Sequence, residues 1–369
     1  MPKTMTTASD EKAAPDGGYF SASDYAAPWR FKSVPFDELV EKFSPHSGIL
    51  SMALKTIDNI QTHYNIMVSI SGGSDSDILI DLIEALELPA KITYVFFNTG
   101  LEYQATKDHV EWLRQHYGVE IHERRALVPI PISCKKYGLP FLSKQVSEYI
   151  YRLQKYNFSW KDAPLGELLE EYPRCKAALR WWCNDWGENS HFNINRFPYL
   201  KEFMMQNPPL FRISAKCCDG AKKRVAKAVE EELQPDLCMI GVRKAEGGAR
   251  ATAYKTCFSL PKEGTDGPSR FRPLYYLTDR EKAIYEQHRG IVHSDCYTKY
   301  GLDRTGCACC PFGKYYEREL AAAQEYEPGL YRAAMQIFGP SYAYTQAYRE
   351  FAKERRSKEV DTHAKDNGH

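Results

Sequence analysis

The chain has 369 residues, and its 49 lysines and arginines nearly balance its 48 aspartates and glutamates, so its net charge is +1. This balance excludes a global electrostatic affinity for nucleic acids or membranes, and any polyanion site must be local. The length suits about two domains of ~150 residues, or one large domain with an added module. No apolar stretch reaches the ~18 residues of a membrane span, and residues 1–20 lack a signal-peptide core, so we expect a cytoplasmic protein without a membrane partner.

In the amino-terminal third, patterns typical of helices and of a strand follow one another. Residues 1–35 are rich in Ala, Ser, Asp and Lys, which predicts a disordered or loosely docked arm. Apolar residues at helical spacing between Pro35 and His63 predict two helices. The run Ile66–Ile70 predicts a buried strand, and the apolar positions from Ile78 to Leu86 predict the helix that follows it.

A loop of glycine and hydroxyl residues joins this strand to this helix. Glycines without a Cβ allow the backbone to approach a ligand closely, while free N–H groups and the helix dipole attract an anion. We expect Asp75 to lie at the helix start, outside the core. The loop lacks the Lys-Ser/Thr ending of a Walker motif, and the alternative to a phosphate site is a simple turn capped by Ser74 or Asp75. The candidate phosphate-binding residues are Ser71, Gly72, Gly73, Ser74, Asp75 and Ser76.

Further strand and helix patterns continue the alternation. Strands are predicted at Lys91–Phe97, Val119–His122 and Asp236–Gly241, with helical spacing between them. The prediction is an α/β fold with a doubly wound, mostly parallel sheet, in which ligands bind at the carboxyl ends of the strands. The segment after the second strand therefore adds candidate nucleotide-binding residues, namely Asn98, Thr99, Gly100 and Glu102.

The segment 155–210 departs from this rhythm and carries four of the six tryptophans. Such clustered aromatic residues predict a satellite core, with a base-stacking surface as the alternative. We expect an α/β domain at 36–255 with 155–210 inserted into it, a Cys-rich and mainly helical module at 256–330, and a helix with a charged tail at 331–369. In the third part, Thr278 is the predicted N-cap of a helix, with Glu281 in the capping-box position.

Several cations stand close to predicted site edges. Arg243 and Arg250 flank glycines after the fourth strand, where a guanidinium suits phosphate or sulfate. The alternative for both is a solvated basic surface, which is the interpretation we favour for the lysines of 222–227. Lys144 begins another predicted helix, with Ser143 as its N-cap.

Eleven cysteines in an intracellular enzyme indicate metal or redox chemistry rather than disulfides. Four thiolates could hold zinc or iron and sulfur, and the sequence chemistry does not decide between them. Cys217 and Cys257 compete for one ligand position, because two adjacent side chains on one metal site strain the backbone. The candidate ligands are Cys217, Cys218, Cys257, Cys307 and Cys310.

Taken together, these segments resemble the phosphoadenosine phosphosulfate (PAPS) reductase family of the PP-loop ATP pyrophosphatase superfamily, in particular its iron-sulfur members from bacteria and their viruses. The resemblance extends from about Ile66 to Leu330. It rests on seven blocks in the family's order: Ser71–Ser76, Asn98–Glu102, Gly138–Lys144, Lys216–Cys218, Gly241–Arg250, Arg272–Leu274 and Arg304–Gly313.

The resemblance implies a PP-loop, HUP-like fold and a [4Fe-4S] cluster on a Cys-Cys pair and a distant Cys-x-x-Cys. It also implies that the loop binds the pyrophosphate of ATP or of an adenylated nucleotide, that Asp75 helps to hold Mg²⁺, and that Lys144, Arg243 and Arg250 neutralise phosphates. Asp75, Ser76 and Lys144 are the candidate catalytic residues. Two departures from sulfonucleotide reductases are the complete Ser-Gly-Gly-x-Asp-Ser loop and the lack of a cysteine after Cys310.

Three functions follow from the resemblance. The first is an ATP-dependent sulfurtransferase that adenylates its acceptor, which would need a sulfur or electron donor protein and could act on a nucleic acid. The second is a PAPS or adenylyl-sulfate reductase. The third is a non-catalytic nucleotide-binding regulator associated with DNA. A homo-oligomer is compatible with all three.

Overall fold

The computed structural model describes residues 34–247, 253–261, 263–264 and 266–366. Of the predicted arm, residues 1–33 lie outside this part of the chain. Arg250, a predicted anion-binding residue, also lies outside the described residues. The boundaries between the predicted domains stay predictions.

Six strands form one sheet with the order β3-β2-β1-β4-β6-β5. All neighbouring pairs are parallel except β5 and β6. This confirms the predicted α/β class and mostly parallel sheet. The last two strands were not predicted, because two or three residues are too few to show a strand pattern. The strands are β1 (Asn65–Ile70), β2 (Lys91–Asn98), β3 (Ile121–Arg125), β4 (Leu237–Ile240), β5 (Phe258–Ser259) and β6 (Ser269–Phe271).

Helices surround the sheet and make up most of the remaining described chain. None of the described helices combines the length and apolar character that crossing a membrane requires. The α-helices are α1 (Phe36–Phe43), α2 (Ser47–Gln61), α3 (Ser74–Ala85), α4 (Gln104–Tyr117), α5 (Ile130–Tyr137), α6 (Lys144–Lys155), α7 (Leu165–Glu171), α8 (Lys176–Trp182), α9 (Leu200–Gln206), α10 (Arg224–Leu233), α11 (Asp279–Arg289), α12 (Asp295–Thr298), α13 (Tyr316–Tyr326) and α14 (Pro328–Asp366).

The sheet reverses its winding direction between β1 and β4. The chain passes from β1 to β2 and β3 on one side, and then returns to β4 on the other side of β1. In open α/β sheets, ligands bind beyond the carboxyl ends of the strands at such a point. Gly241 follows β4 there, and a Cβ on it would lie 2.7 Å from the Asp75 carbonyl oxygen. The glycine therefore permits the close approach of β4 to the start of α3.

The sheet is covered by apolar side chains on both faces. One face packs on α2 and α3 through residues such as Ile60, Ile80 and Ile83, while Val225 and Val229 of α10 cover the other. Helix α3 is buried at every position from Asp75 to Ile83. A helix that is buried on all sides must bury its polar residues too, so each of those needs a partner.

The aromatic-rich segment has its own core, as predicted. Trp181 and Trp182 are 1% and 0% exposed. Phe203 of α9 packs on the rings of Tyr344 and Tyr348, which belong to α14. The sequence predicts a helix with a charged tail at 331–369, and α14 extends from Pro328 to Asp366. The contacts of α14 with α9 give this long helix a partner that its charged sequence does not reveal.

Two histidines hold the buried carboxylate of Asp77 in α3. His109 Nε2 lies 2.9 Å from Asp77 Oδ1, and His293 Nδ1 lies 2.7 Å from Oδ2. The second ring nitrogen of His293 lies 2.9 Å from Glu286 Oε1. Burial by itself lowers the pKa of His293, but the hydrogen bonds to Asp77 and Glu286 and the charges of both carboxylates raise it to about 9.

This raised pKa makes stability depend on pH. Since the unfolded chain gives up the His293 proton near pH 6.5, protonation stabilises the fold fully below that value, and the contribution is lost as the pH rises through 9. We expect His293→Gln to lower the free energy of unfolding by about 3 kcal/mol at pH 6 and by much less at pH 10. Urea unfolding at both pH values measures this. His122→Gln, at a half-exposed histidine in β3, is the matched control. A pH-independent loss for His293→Gln would contradict the assignment.

Candidate functional site

The loop after β1 is held in shape by the hydroxyl of Ser76. This hydroxyl accepts the N–H groups of Ser71 at 3.3 Å and Gly73 at 3.1 Å, and it donates to the Gly73 carbonyl at 2.8 Å. Gly72 has a φ of +65°, in the left-handed region that favours glycine. The predicted strand, loop and helix are therefore present in the required order, and the loop ends at the N-terminus of α3.

Asp75 is buried, so the expectation that it lies outside the core is wrong. Its side chain is 10% exposed, and its Oδ1 accepts from Arg243 Nε at 2.9 Å and from Lys282 Nζ at 2.7 Å. Arg243 Nη1 also donates to Asp279 Oδ1 at 2.8 Å. The burial arises because β4 and α11 pack over the start of α3. That Asp75 helps to hold Mg²⁺ stays a prediction.

Lys282 is a site residue that sequence reasoning missed. Besides Asp75, its ammonium group donates to Ser74 Oγ at 2.6 Å, so it holds a positive charge directly on the loop. Lys282 and Arg243 together bring two cations to the single carboxylate of Asp75. Arg243 also pairs with Asp279, and Lys282 lies 3.6 Å from Glu286, so carboxylates balance both positive charges. The two side chains still place N–H donors beside the loop, which suits an anionic ligand. The Thr278 capping box, which the sequence did predict and the structure confirms, fixes the start of α11 and hence the position of Lys282.

The hydroxyl of Tyr297 covers the loop from the carboxyl-terminal side. It accepts the N–H of Ser74 at 3.1 Å and the N–H of Thr305 at 3.3 Å. A Cβ on Gly73 would lie 2.9 Å from Thr305 Oγ1 and 3.2 Å from the Tyr297 hydroxyl. Gly73 is thus required for the close contact between the loop and the segment before Cys307–Cys310, which we call the Cys-rich turn.

The segment after β2 joins the loop region to the cysteines. Asn98 receives the N–H of Gly100 at 2.8 Å on its side-chain oxygen and donates to Glu123 at 3.0 Å. The carboxylate of Glu102 is buried and accepts from the Thr99 hydroxyl at 2.6 Å. Glu102 also forms a β-bridge with Cys307, so this segment contacts the Cys-rich turn directly.

Four of the five candidate metal ligands lie near one another. Cys217 and Cys218 are hydrogen-bonded to each other, and Cys310 is close enough to help raise the pKa of Cys217. Cys218 in turn is close enough to help raise the pKa of Cys307 and of Cys310. Cys257 is the exception, because it packs beside β5 against the core of the sheet. Within the part of the chain that the structure describes, no three cysteine, histidine or acidic side chains are arranged as a metal site.

Burial and thiol neighbours keep these cysteines neutral. A hydrogen bond to Cys134 is the main cause that raises the pKa of Cys217, and a hydrogen bond to Cys217 has the same effect on the pKa of Cys218. Burial raises the pKa of Cys310 to about 12. It also raises the pKa of Cys307, although the charge of Lys222 opposes this. Cys134 therefore joins Cys217, Cys218, Cys307 and Cys310 in one group of neighbouring thiols, which we call the cysteine cluster.

Two lysines supply positive charge beside the thiols. The charges of Lys144 and Lys222 both act on Cys218, so the structure places Lys144 near the cysteines. Lys222 belongs to a π-helix, Asp219–Lys223, that starts directly after Cys218. Such irregular helical turns are frequent at functional sites. Burial by itself lowers the pKa of Lys222, but the nearby thiols and Glu102 raise it.

Residues 65–180 match the family model described as the phosphoadenosine phosphosulfate reductase domain. This stretch of the chain is similar to a PAPS reductase domain. It includes β1 to β3 and the loop from Ser71 to Ser76, while Arg243, Lys282 and the cysteine cluster other than Cys134 lie beyond it.

The match to the PAPS reductase domain is accompanied by more distant similarities. An uncharacterised protein of Methanocaldococcus jannaschii is 35% identical over 250 residues, which cover 67% of this chain and 36% of that protein. The chain thus matches about a third of this relative's length. A Candida auris PAPS reductase in complex with phosphate is 12% identical, with a TM-score of 0.38 over 74% of this chain and 96% of that one. The tRNA thiolase NcsA of Methanococcus maripaludis, solved with its [4Fe-4S] cluster, is 11% identical, with a TM-score of 0.34 over 91% of this chain and 82% of that one.

The burial of Asp75 predicts a large effect on stability. Asp75→Asn leaves the buried Arg243 without its inner carboxylate, and breaking a buried pair costs about 3 kcal/mol or more. Asp279→Asn removes a carboxylate from the same arginine, but the Asp279 side chain is 80% exposed, so its loss should cost less than about 1 kcal/mol. Urea unfolding of both variants compares the two. Equal losses would mean that Asp75 is not the anchor of Arg243.

Proposed function

We propose that this chain is an ATP-dependent sulfurtransferase that binds an adenine nucleotide at Ser71–Ser76 and adenylates its acceptor. The observation that carries the proposal is the loop's position at the reversal of the sheet, with Arg243 and Lys282 beside it. The cysteine cluster follows the same edge, since Cys307 bridges to Glu102 directly after β2. The proposed nucleotide site and the thiols are thus adjacent, which supports a reaction of activation followed by sulfur transfer.

The loop residues would bind the phosphates of the nucleotide. The N–H groups at the start of α3 and the hydroxyls of Ser71 and Ser74 are donors, and the Lys282 ammonium group adds charge. Arg243 would stabilise negative charge that develops on the α-phosphate, and Asp75 would keep Arg243 and Lys282 in place. An oxygen of the acceptor attacks the α-phosphorus, pyrophosphate leaves, and a sulfur nucleophile then displaces AMP from the adenylated acceptor.

The donor set of the cysteine cluster fits a [4Fe-4S] cluster, with zinc as the alternative. Cys217, Cys218, Cys307 and Cys310 are all free thiols, and they come from two separate segments. Four thiolates are the common ligand set of such clusters, and Lys222 would offset part of their negative charge. The position of Cys257 favours Cys217 as the fourth ligand. A cluster held there would supply sulfur or electrons for the transfer.

A pyrophosphate-release assay tests the nucleotide site. With ATP labelled in the γ-phosphate, water can replace the unknown acceptor, and we expect slow release of labelled pyrophosphate together with AMP. Lys282→Met keeps the side-chain stem but removes the charge on the loop, so ATP should bind at least about ten-fold more weakly. Lys299→Met, at an exposed lysine beside Tyr326, is the matched control.

The products distinguish the candidate functions. Release of pyrophosphate that falls with Lys282→Met and not with Lys299→Met supports the sulfurtransferase. The match to the PAPS reductase domain favours a reductase as the second candidate. Reduction of PAPS or adenylyl sulfate to sulfite without pyrophosphate release would replace our proposal with that one. Nucleotide binding without either reaction would indicate a regulator.

Metal content tests the cysteine cluster independently. Protein purified without oxygen should be brown and contain about four irons per chain. Cys218→Ser, Cys307→Ser and Cys310→Ser should each lose most of the iron, because a cluster requires all of its thiolates. Cys257→Ser should retain the iron. Loss of the iron in Cys217→Ser would make Cys217 the fourth ligand, and retention would favour Cys134. One zinc per colourless chain would contradict the iron-sulfur assignment and leave the nucleotide proposal standing.

A further inference from the structure

A surface of alternating cationic and aromatic side chains extends from the cysteine cluster towards the aromatic-rich segment. Its centre is Lys216, whose ammonium nitrogen lies 5.2 Å from the ring centre of Tyr137 and 4.5 Å from that of Tyr151. The same nitrogen donates to the Tyr151 hydroxyl at 3.0 Å. The ammonium nitrogen of Lys136 also lies 5.2 Å from the Tyr137 ring centre. We call this surface, formed by Lys136, Tyr137, Tyr151, Lys155, Arg212 and Lys216, the basic strip.

The basic strip opens into a cavity at its far end. The cavity has a volume of about 530 Å³, and Tyr151, Lys155 and Arg212 of the strip line it. Phe158, Trp160 and Phe211 contribute aromatic surface to the same cavity. This volume is in the range of small-ligand sites, and it would accept a nucleobase with its sugar. Lys155 and Arg212 are exposed at its edge, where they can reach a phosphate.

Acidic groups do not cancel this charge. Glu148 of α6 acts on Lys216, but it also pairs with Arg152 at 2.9 Å, so Glu148 and Arg152 together add no net charge to the strip. Asp219 lies near Lys216, but Arg224 lines the same small cavity and balances it. The strip therefore keeps an excess of positive charge beside half-buried rings. This combination binds single-stranded nucleic acids, because cations follow the phosphates and rings stack on the bases.

The position of the basic strip relates it to the proposed chemistry. Lys216 directly precedes Cys217 and Cys218 in the chain, and the charges of Lys144 and Lys222 act on Cys218. A strand bound along the strip would therefore pass the cysteine cluster. Duplexes do not suit the cavity, since their base faces are stacked inside and cannot meet Trp160 or Phe211.

We propose that the basic strip binds a single-stranded nucleic acid as the acceptor of the reaction. One base occupies the cavity, the neighbouring phosphates contact Lys155, Arg212 and Lys216, and the next nucleotides reach the cysteine cluster. The role as acceptor rests on the sulfurtransferase function proposed above, whereas the binding itself does not. The binding experiment below contains no ATP, so its failure is separate from a failure of pyrophosphate release.

Fluorescence anisotropy with a labelled 12-nucleotide single strand, as RNA and as DNA, measures the binding at several salt concentrations. We expect affinity to fall linearly with the logarithm of the salt concentration. Lys155→Glu with Arg212→Glu should weaken binding at least about ten-fold. It should also reduce the magnitude of the slope of log affinity against log salt concentration by about 1.4, since each phosphate contact on a single strand contributes ~0.7. Both residues are exposed, so the fold should tolerate the change.

Two controls separate the strip and the cavity from general charge effects. Lys55→Glu with Lys91→Glu makes the same change of charge at exposed lysines of α2 and β2, and it should leave the affinity nearly unchanged. An abasic strand of equal length keeps the phosphates and lacks the bases. It should bind at least about ten-fold more weakly than the intact strand if a base stacks in the cavity.

Each result decides the proposal. Salt-dependent binding that the strip variant weakens and the control variant does not, with a preference for intact over abasic strands, supports it. Equal loss in both double variants, equal binding of intact and abasic strands, or no binding of either nucleic acid overturns it. Binding of an acidic peptide with the same affinity as the strand would also overturn it and assign the strip to a protein partner.

Discussion

Three carboxylates on the buried helix α3 connect the carboxyl-terminal half of the described chain to the loop Ser71–Ser76. Asp75 binds Arg243 and Lys282, Asp77 binds His109 and His293, and Asp81 accepts from Tyr285 and Arg289. A buried charge that loses its partner is costly, so α3 can be buried on all sides only while α4, β4 and α11 are in place. The position of this loop, which leads into α3, therefore depends on residues about 200 positions later in the chain.

The local sequence predicted the elements of the fold well, because their signals are local. Apolar periodicity indicated β1 and α3, the Thr278 capping box indicated the start of α11, and glycines marked the loop between Ile70 and Ser74. The sequence did not reveal that Asp75 is buried, since the same residue at an exposed helix start would read identically. Lys282 and Tyr297 were missed for the same reason: each contacts the loop from more than 200 residues away, and neither belongs to a motif.

The spacing of the cysteines in the sequence predicts only in part which of them lie together in the structure. The adjacent Cys217 and Cys218 and the Cys-x-x-Cys motif were recognisable in the sequence, and the structure brings them near one another. Spacing could not decide between Cys217 and Cys257, because the choice depends on β5. This two-residue strand keeps Cys257 against the sheet core. Cys134 gave no signal at all, since its link to Cys217 exists only after α5 and the π-helix have packed together.

The hydroxyl of Tyr297 gives the loop Ser71–Ser76 and the Cys-rich turn a shared hydrogen-bond acceptor. One oxygen receives the N–H groups of both Ser74 and Thr305, and Cys307 lies only two residues after Thr305. An anion that takes the Ser74 N–H must displace this oxygen, which alters the support of Thr305 at the same time. Binding at the loop and the order of the Cys-rich turn are then thermodynamically linked, and by reciprocity a rigid turn changes the affinity of the loop by the same factor.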